Sequence, residues 1–313
     1  MCGIVGLYLK NPALNRDLGA LFEPMLLEMT QRGPDSTGFA IYRNPVGAAH
    51  VKVVLQHPAL DFNWPSVVAE LTEHFGTDID FNVTHTHCLI ALRATESKVR
   101  QHLLRADAPY AVVSIGHHIE IYKEVGLPSE VVTFFKLREA QGSHAIGHTR
   151  MATESAVTTA GSHPFSTGSD LCLVHNGSLS NHNRLRRKLA KAGAMFRTEN
   201  DSEVAAQYLD VQMQMGLSLE EALYAALHDL DGFFTFTIGT SDGFAVLRDP
   251  IACKPAVMAE TAEWVAMSSE YRALAQLPGV ENARVWEPEP ATVYVWESGG
   301  QSRQSTAQLA KAS

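Results

Sequence analysis

The sequence predicts an α+β protein of layered sheets and helices, and three observations carry that expectation. Strand-like and helix-like stretches come in runs, without the regular alternation of a doubly wound sheet. Leu18, Leu21, Phe22, Met25, Leu26 and Met29 recur at helical spacing and give one apolar face to a helix that stops near Gly33 and Pro34. With 313 residues, 45% of them hydrophobic, the chain can bury a sizeable core.

Along the chain, residues 2–9 read as a buried strand ahead of that helix, and "STGFAIYR" follows it as another. Further strands are expected at "VKVVLQ", "FNVTHTHCLIAL", "YAVVSIG", "HIEIYK", "LCLVH", "GFFTFTIG", "FAVLR", "EWVAMS" and "TVYVW". Helices are expected around 65–75, 96–106, 128–139, 181–192, 202–214 and 218–229. Residues 57–108 read strand and helix in their own right, which predicts a small α/β insertion within a single domain spanning 1–313. "HTHC" in that region places His85 and His87 on one face of a strand, a geometry able to hold a metal. No third ligand is apparent, so packed histidines and no metal are expected. The polar stretch 299–313 is expected to be a mobile tail.

Charge and cysteine usage exclude several classes. The 25 basic and 34 acidic side chains leave a net charge of −9, which argues against a phosphate-binding surface and so against nucleic acid. The apolar start ends at Lys10 with no positive segment before it, and no uncharged stretch is long enough to span a bilayer. A cytoplasmic location with no membrane partner is expected. The four cysteines, Cys2, Cys88, Cys172 and Cys253, show no CxxC spacing, so reduced thiols are expected rather than a zinc knuckle or a disulfide framework.

Five stretches carry chemistry when taken together: "MCGIVGLY" at the start, "QRGPDSTG" at 31–38, "GHTRMAT" at 147–153, "HNGSLSN" at 175–181 and "TENDSEV" at 198–204. A cysteine behind the initiator methionine is either the start of a core strand or, once Met1 is removed, a nucleophile carrying its own base. A free α-amine has a pKa of about 7.7–8.0 and can accept the thiol proton directly or through water. The thiolate then attacks an amide carbon to give a thioester, and the amine helps protonate the departing ammonia.

In this order the five stretches resemble the class II glutamine amidotransferases, the N-terminal-nucleophile group. The likeness weakens over 45–140 and resumes at "DPIACKP" and "MSSE". The resemblance implies a four-layer αββα sandwich. It implies that Cys2 is the nucleophile, with Asn176 through its side-chain amide and Gly177 through its backbone N–H as oxyanion donors. It also implies that Arg150 clamps the α-carboxylate of L-glutamine, that Asp201 receives the α-ammonium and that Thr153 is a nearby polar contact. From the residues alone, Asn176-Gly177 is also a strong turn dipeptide, Asp201 a helix N-cap and Arg150 a surface ion pair. Gly33, Pro34, Asp35, Ser36 and Gly38 are expected to shape the loop walling the pocket. Met151 departs from relatives that place an aromatic residue there.

The amidotransferase stretches consume nearly the whole chain, so the expected acceptor of ammonia is a separate synthase subunit in a hetero-oligomer. The chain looks most like the stand-alone amidotransferase subunit of glutamate-synthase-like enzymes such as N-methylglutamate synthase. That likeness implies no cofactor in this chain and a flavin in the partner. A stand-alone N-terminal-nucleophile amide hydrolase and a non-catalytic glutamine-sensing scaffold are the alternatives.

Overall fold

The computed structural model describes residues 2–152 and 156–297, and residues 303–306 by their backbone. Alternation along the strands explains the layering. In Gly3–Leu9, Ile4 and Tyr8 point to one side and Val5, Leu7 and Leu9 to the other, and both sides are buried in different cores. Ser36–Tyr42 divides the same way, with Phe39 and Ile41 opposite Ala40 and Tyr42. A period of two with both faces apolar is the signature of a sheet covered on both sides.

Seven strands form the first sheet, in the order Arg284–Trp286, Val257–Glu260, Trp264–Ser268, Gly3–Leu9, His144–Arg150, Ser36–Tyr42 and Ile119–Val125. The second holds Arg303–Thr306, Thr292–Glu297, Gly243–Arg248, Gly232–Gly239, Cys172–Leu179 and Phe165–Ser166. The two sheets face each other across Ile4, Tyr42, Ile146, Val174, Phe244, Val246, Met267 and Trp296. Helix Leu18–Leu27 covers the outer face of the first sheet through Leu18, Phe22, Met25 and Leu26. Helices Asp201–Gln214 and Leu219–Asp229 cover the second through Val204, Leu209, Leu223 and Leu227. The result is helix, sheet, sheet, helix: the αββα sandwich that the family resemblance implies.

A third, four-stranded sheet, in the order Asp80–Thr84, His87–Arg93, His50–Gln56 and Ala111–Gly116, flanks the sandwich and adds Val54 and Val113 to the core between the two sheets. Its own core packs it against helices Trp64–Phe75 and Glu96–Leu103. The sheet thus takes in His50–Gln56 and Ala111–Gly116, outside the 57–108 boundaries of the expected insertion.

Four local expectations need correction. "FNVTHTHCLIAL" is two strands, because His85 adopts φ 54° and opens a tight hairpin in which Thr84 pairs with His87. His85 and His87 therefore do not share a strand face. The helix expected over 128–139 stops at Phe134 and resumes as a short 3₁₀ turn at Leu137–Glu139, with Lys136 between them at φ 51°. "HAIGHTR", not expected to be a strand, is a central one. The polar tail carries an edge strand, Arg303–Thr306, paired with Thr292–Val295, while 299–302 and 307–313 lie outside the described residues.

Candidate active site

The five stretches converge at one end of the two facing sheets. Cys2 stands immediately before the strand Gly3–Leu9, whose Gly3 pairs with Thr149, and Arg150 in turn pairs with Ser36. The approach is close: a Cβ on Gly3 would lie 2.8 Å from Thr149 Oγ1 and from Met29 Cβ. Thr149 Oγ1 donates to Met29 O at 3.0 Å and ties the helix-to-loop corner to the same strand.

Cys2 is held through its carbonyl oxygen. Asn176 Nδ2 donates to it at 3.3 Å across the two sheets, and Arg32 Nε donates to it at 3.0 Å. Arg32 is anchored in turn by Glu270, Nη1 to Oε1 at 2.9 Å. Arg32 was not singled out from the sequence. The signal was its place directly before Gly33, but its partner Glu270 lies far away in the chain.

The Asn176 amide carries a second N–H beyond the one given to Cys2. Gly177 follows at φ +153°, and a Cβ there would lie 2.0 Å from Phe233 O and 2.7 Å from His175 Nε2. Only glycine fits that backbone. The pair lies within the strand Cys172–Leu179, with Asn176 opposite Thr235 and Gly177 opposite Phe234, rather than in a turn after it.

Arg150 is not a surface residue: it is 6% exposed, its Nη1 donates to Ala156 O at 3.2 Å, and it lies beside Gly161. Asp35 knits the loop 31–38 to this strand end, its N–H donating to Arg150 O at 3.0 Å and its Oδ2 accepting from Ala152 N at 2.7 Å. Thr153 lies outside the described residues.

Asp201 opens the helix Asp201–Gln214, but the N-cap is Asn200, whose side chain accepts from Ser202 N. Asp201 Oδ2 accepts from Leu179 N at 2.8 Å and Oδ1 from Ser202 Oγ at 3.3 Å. Among the described residues no lysine or arginine pairs with it, and His175 Nδ1 is 3.8 Å away. Burial lowers the pKa of His175, which keeps that ring neutral near pH 7. Asn200 Nδ2 also donates to Gly161 O at 3.4 Å, so the segments holding Arg150 and Asp201 meet at the same turn.

The other cysteines differ from Cys2 in setting. Burial pushes the thiols of Cys88 and Cys172 up to about 12, away from the reactive thiolate. Cys253 is exposed. Among the described residues no three His, Cys, Asp or Glu side chains group to hold a metal, and no helix is long and apolar enough to cross a membrane. Two cavities, of about 900 and 910 Å³, lie elsewhere, and neither is lined by Cys2, Asn176, Arg150 or Asp201.

Comparison with known proteins agrees with this geometry. Residues 148–276 match the family described as "Glutamine amidotransferase domain". The glutamine amidotransferase-like protein GlxB of Rhizobium meliloti (strain 1021) is 56% identical over 299 residues, 95% of this chain and 98% of that protein. An amidophosphoribosyltransferase of Synechocystis sp. is 34% identical over 192 residues, 59% of this chain but only 38% of that protein. Among solved structures, glutamine phosphoribosylpyrophosphate amidotransferase from B. subtilis superposes with a TM-score of 0.64 at 18% identity, covering 99% of this chain. This chain spans half of that one, and at such identity the match bears on the fold alone. With the sandwich, the convergence of the five stretches and a relative similar over nearly its whole length, the chain belongs to the glutamine amidotransferase family and is an enzyme of its N-terminal-nucleophile, class II fold type.

Proposed function

We propose that the protein hydrolyses L-glutamine through a Cys2 thioester and delivers the ammonia to a separate synthase subunit. The observation that carries this reading is the double hold on the Cys2 carbonyl by Asn176 and Arg32, which sets the residue beside a second amide N–H with no acceptor among the described residues.

In this mechanism Met1 has been removed and the α-amine of Cys2 takes the thiol proton. Sγ attacks the side-chain carbonyl carbon of glutamine, and the oxyanion forms against Asn176 Nδ2 and the Gly177 N–H. The C–N bond breaks as the amine returns its proton to the leaving ammonia, and water then releases glutamate from the thioester. Arg150 holds the α-carboxylate and Asp201 the α-ammonium. The absence of a cationic partner for Asp201 among the described residues suits that role, since an ammonium ligand would supply the missing charge. Thr153 adds a polar contact.

A separate acceptor subunit is favoured because the Rhizobium meliloti relative is spanned over 98% of its length, leaving no space there for an acceptor-binding domain. Free ammonia would mostly protonate and disperse, so a bound partner is the physically sensible arrangement. The reading extends to a glutamate-synthase-like complex such as N-methylglutamate synthase, with any flavin in the partner.

Glutamine turnover by the purified chain, with and without candidate partner subunits, tests the proposal. Cys2→Ala is expected to abolish hydrolysis without loss of fold, and intact mass to show removal of Met1. Turnover by a protein that retains Met1 would overturn the mechanism. Full turnover alone, unchanged by any partner and with no complex on a sizing column, would favour a stand-alone amide hydrolase.

A further inference from the structure

Behind Asp201 lies a buried hydrogen-bond network that the reaction as written does not use. Ser202 Oγ is 2.8 Å from His163 Nε2, 2.8 Å from His175 Nδ1 and 3.3 Å from Asp201 Oδ1. Ser202, His163 and His175 are all buried. His148 stacks on His163 with ring centroids 3.9 Å apart, and its Nε2 pairs with His175 O at 3.1 Å across the two sheets. The far ring nitrogens, His163 Nδ1 and His175 Nε2, are buried with no partner among the described residues.

That accounting fixes the direction of each bond. A hydroxyl has one hydrogen to give and two lone pairs to receive with. If Ser202 gave its hydrogen to either histidine, that ring would have to carry its own proton on the unpartnered nitrogen, and Asp201 Oδ1 would lose a donor. If Ser202 gives it to Asp201, both histidines donate to Ser202, and only two neutral lone pairs stay unmatched. Hydrogen bonds to a charged oxygen are the stronger kind, so the second arrangement holds. Two neutral imidazoles thereby polarise a hydroxyl toward the carboxylate without adding a positive charge beside it.

We propose that Ser202, held by His163 and His175, is a positioning residue that fixes the Asp201 carboxylate to receive the α-ammonium of glutamine. This rests on the reading of Asp201 given above. With Leu179 N–H on Oδ2 and Ser202 on Oδ1, both carboxylate oxygens are held in place before substrate arrives, so the site need not be ordered on binding.

The test compares two competitive ligands of the glutaminase: L-glutamate, which carries the α-ammonium, and glutarate, which lacks it. Ser202→Ala is expected to raise the KM for glutamine and weaken L-glutamate about tenfold, the size of one hydrogen bond to a charged group. Turnover number and glutarate inhibition should stay within about twofold, because neither depends on the ammonium contact. Ser202→Thr, which keeps the hydroxyl, should preserve the parental preference for glutamate. If Ser202→Ala does not yield folded protein, His163→Leu removes one donor to Ser202 and should move the same ratio in the same direction. Equal weakening of glutamate and glutarate, or a fall in turnover with KM unchanged, would overturn the inference and make the network a support for Asn176 alone. Asp201→Asn separates the two claims. If it weakens glutamate and glutarate equally, the reading of Asp201 fails and the inference with it; if it weakens glutamate selectively and Ser202→Ala does not, only the inference fails.

Discussion

Around Cys2 the strands Gly3–Leu9, Ser36–Tyr42 and His144–Arg150 are buried along their whole length, whereas in the outlying sheet Asp80–Thr84 is an exposed edge. Phe81 and Val83 on that edge are 44% and 41% exposed. Burial on both faces lets polar side chains be fixed from the opposite layer, as Asn176 is to Cys2 and His148 to His175. The edge strand of the outlying sheet is exposed along most of its length, and polar groups that this sheet does bury, such as Lys52 and Thr86, are fixed by Glu120 and Glu124 of the neighbouring first sheet. The chemistry sits where two layers constrain each side chain, because a buried polar group must be paired and so acquires one geometry.

The sharpest way to break this comparison is Gly177→Ala. The added carbon would fall 2.0 Å from Phe233 O on a backbone that disfavours it, and a cost of at least ~4 kcal/mol is expected. Thermal melting and glutamine turnover should both collapse, and a parental melting temperature with parental turnover would remove the steric argument. In the outlying sheet Trp64→Ala deletes a side chain that is 2% exposed and should cost about 3–5 kcal/mol of stability. At low temperature its turnover is expected to stay within about twofold of the parent. A loss like that of Cys2→Ala would mean that the two regions are not separable.

Asn176→Ala should lower turnover roughly a hundredfold, the cost of one oxyanion donor, with little change in KM. Equal effects on binding and none on turnover would reduce Asn176 to an anchor for Cys2. Protonation sharpens the contrast next. Burial lowers the imidazoles of His87, His144 and His148 from 6.5 to about 3. Between those values the unfolded chain binds protons that the folded one refuses, so stability rises with pH there. It is lost as pH falls from 6.5 toward 3, by up to about 1.4 kcal/mol per pH unit for each histidine. Melting curves from pH 7 to 4 check this, and a flat profile would contradict neutral burial. The smallest effect is expected on the exposed edge, where Phe81→Thr should change stability by no more than about 0.5 kcal/mol, measured by urea unfolding.

What was legible in the sequence follows periodicity and local chemistry. The helical face from Leu18 to Met29 and the apolar runs of the sandwich strands were readable because their cores are contiguous and apolar. "HAIGHTR" was not read as a strand because its polar residues satisfy themselves on partners remote in the chain, such as Thr149 on Met29 and His148 on His175. Asp201 looked like an N-cap because Asp is favoured there, but Asn200 stands one residue earlier and takes that bond. Arg32 and Ser202 lie inside the quoted stretches "QRGPDSTG" and "TENDSEV", but no periodic signal marks either one, and the partners that give them a role are remote in the chain.

The sequence by itself determined which segments can be strands and helices, which faces are apolar, and that a cysteine, an Asn-Gly pair, an arginine and an aspartate stand in amidotransferase order. Those are properties of neighbouring residues and of order along the chain. Only the tertiary structure decided that Arg32 and Asn176 share one carbonyl of Cys2, that Asp201 is without a lysine or arginine partner among the described residues, and that three buried histidines and Ser202 stand behind it. Each of these relations joins residues on different layers. A hydrogen bond depends on tenths of an ångström and on angle, and such distances exist only once both sheets have packed.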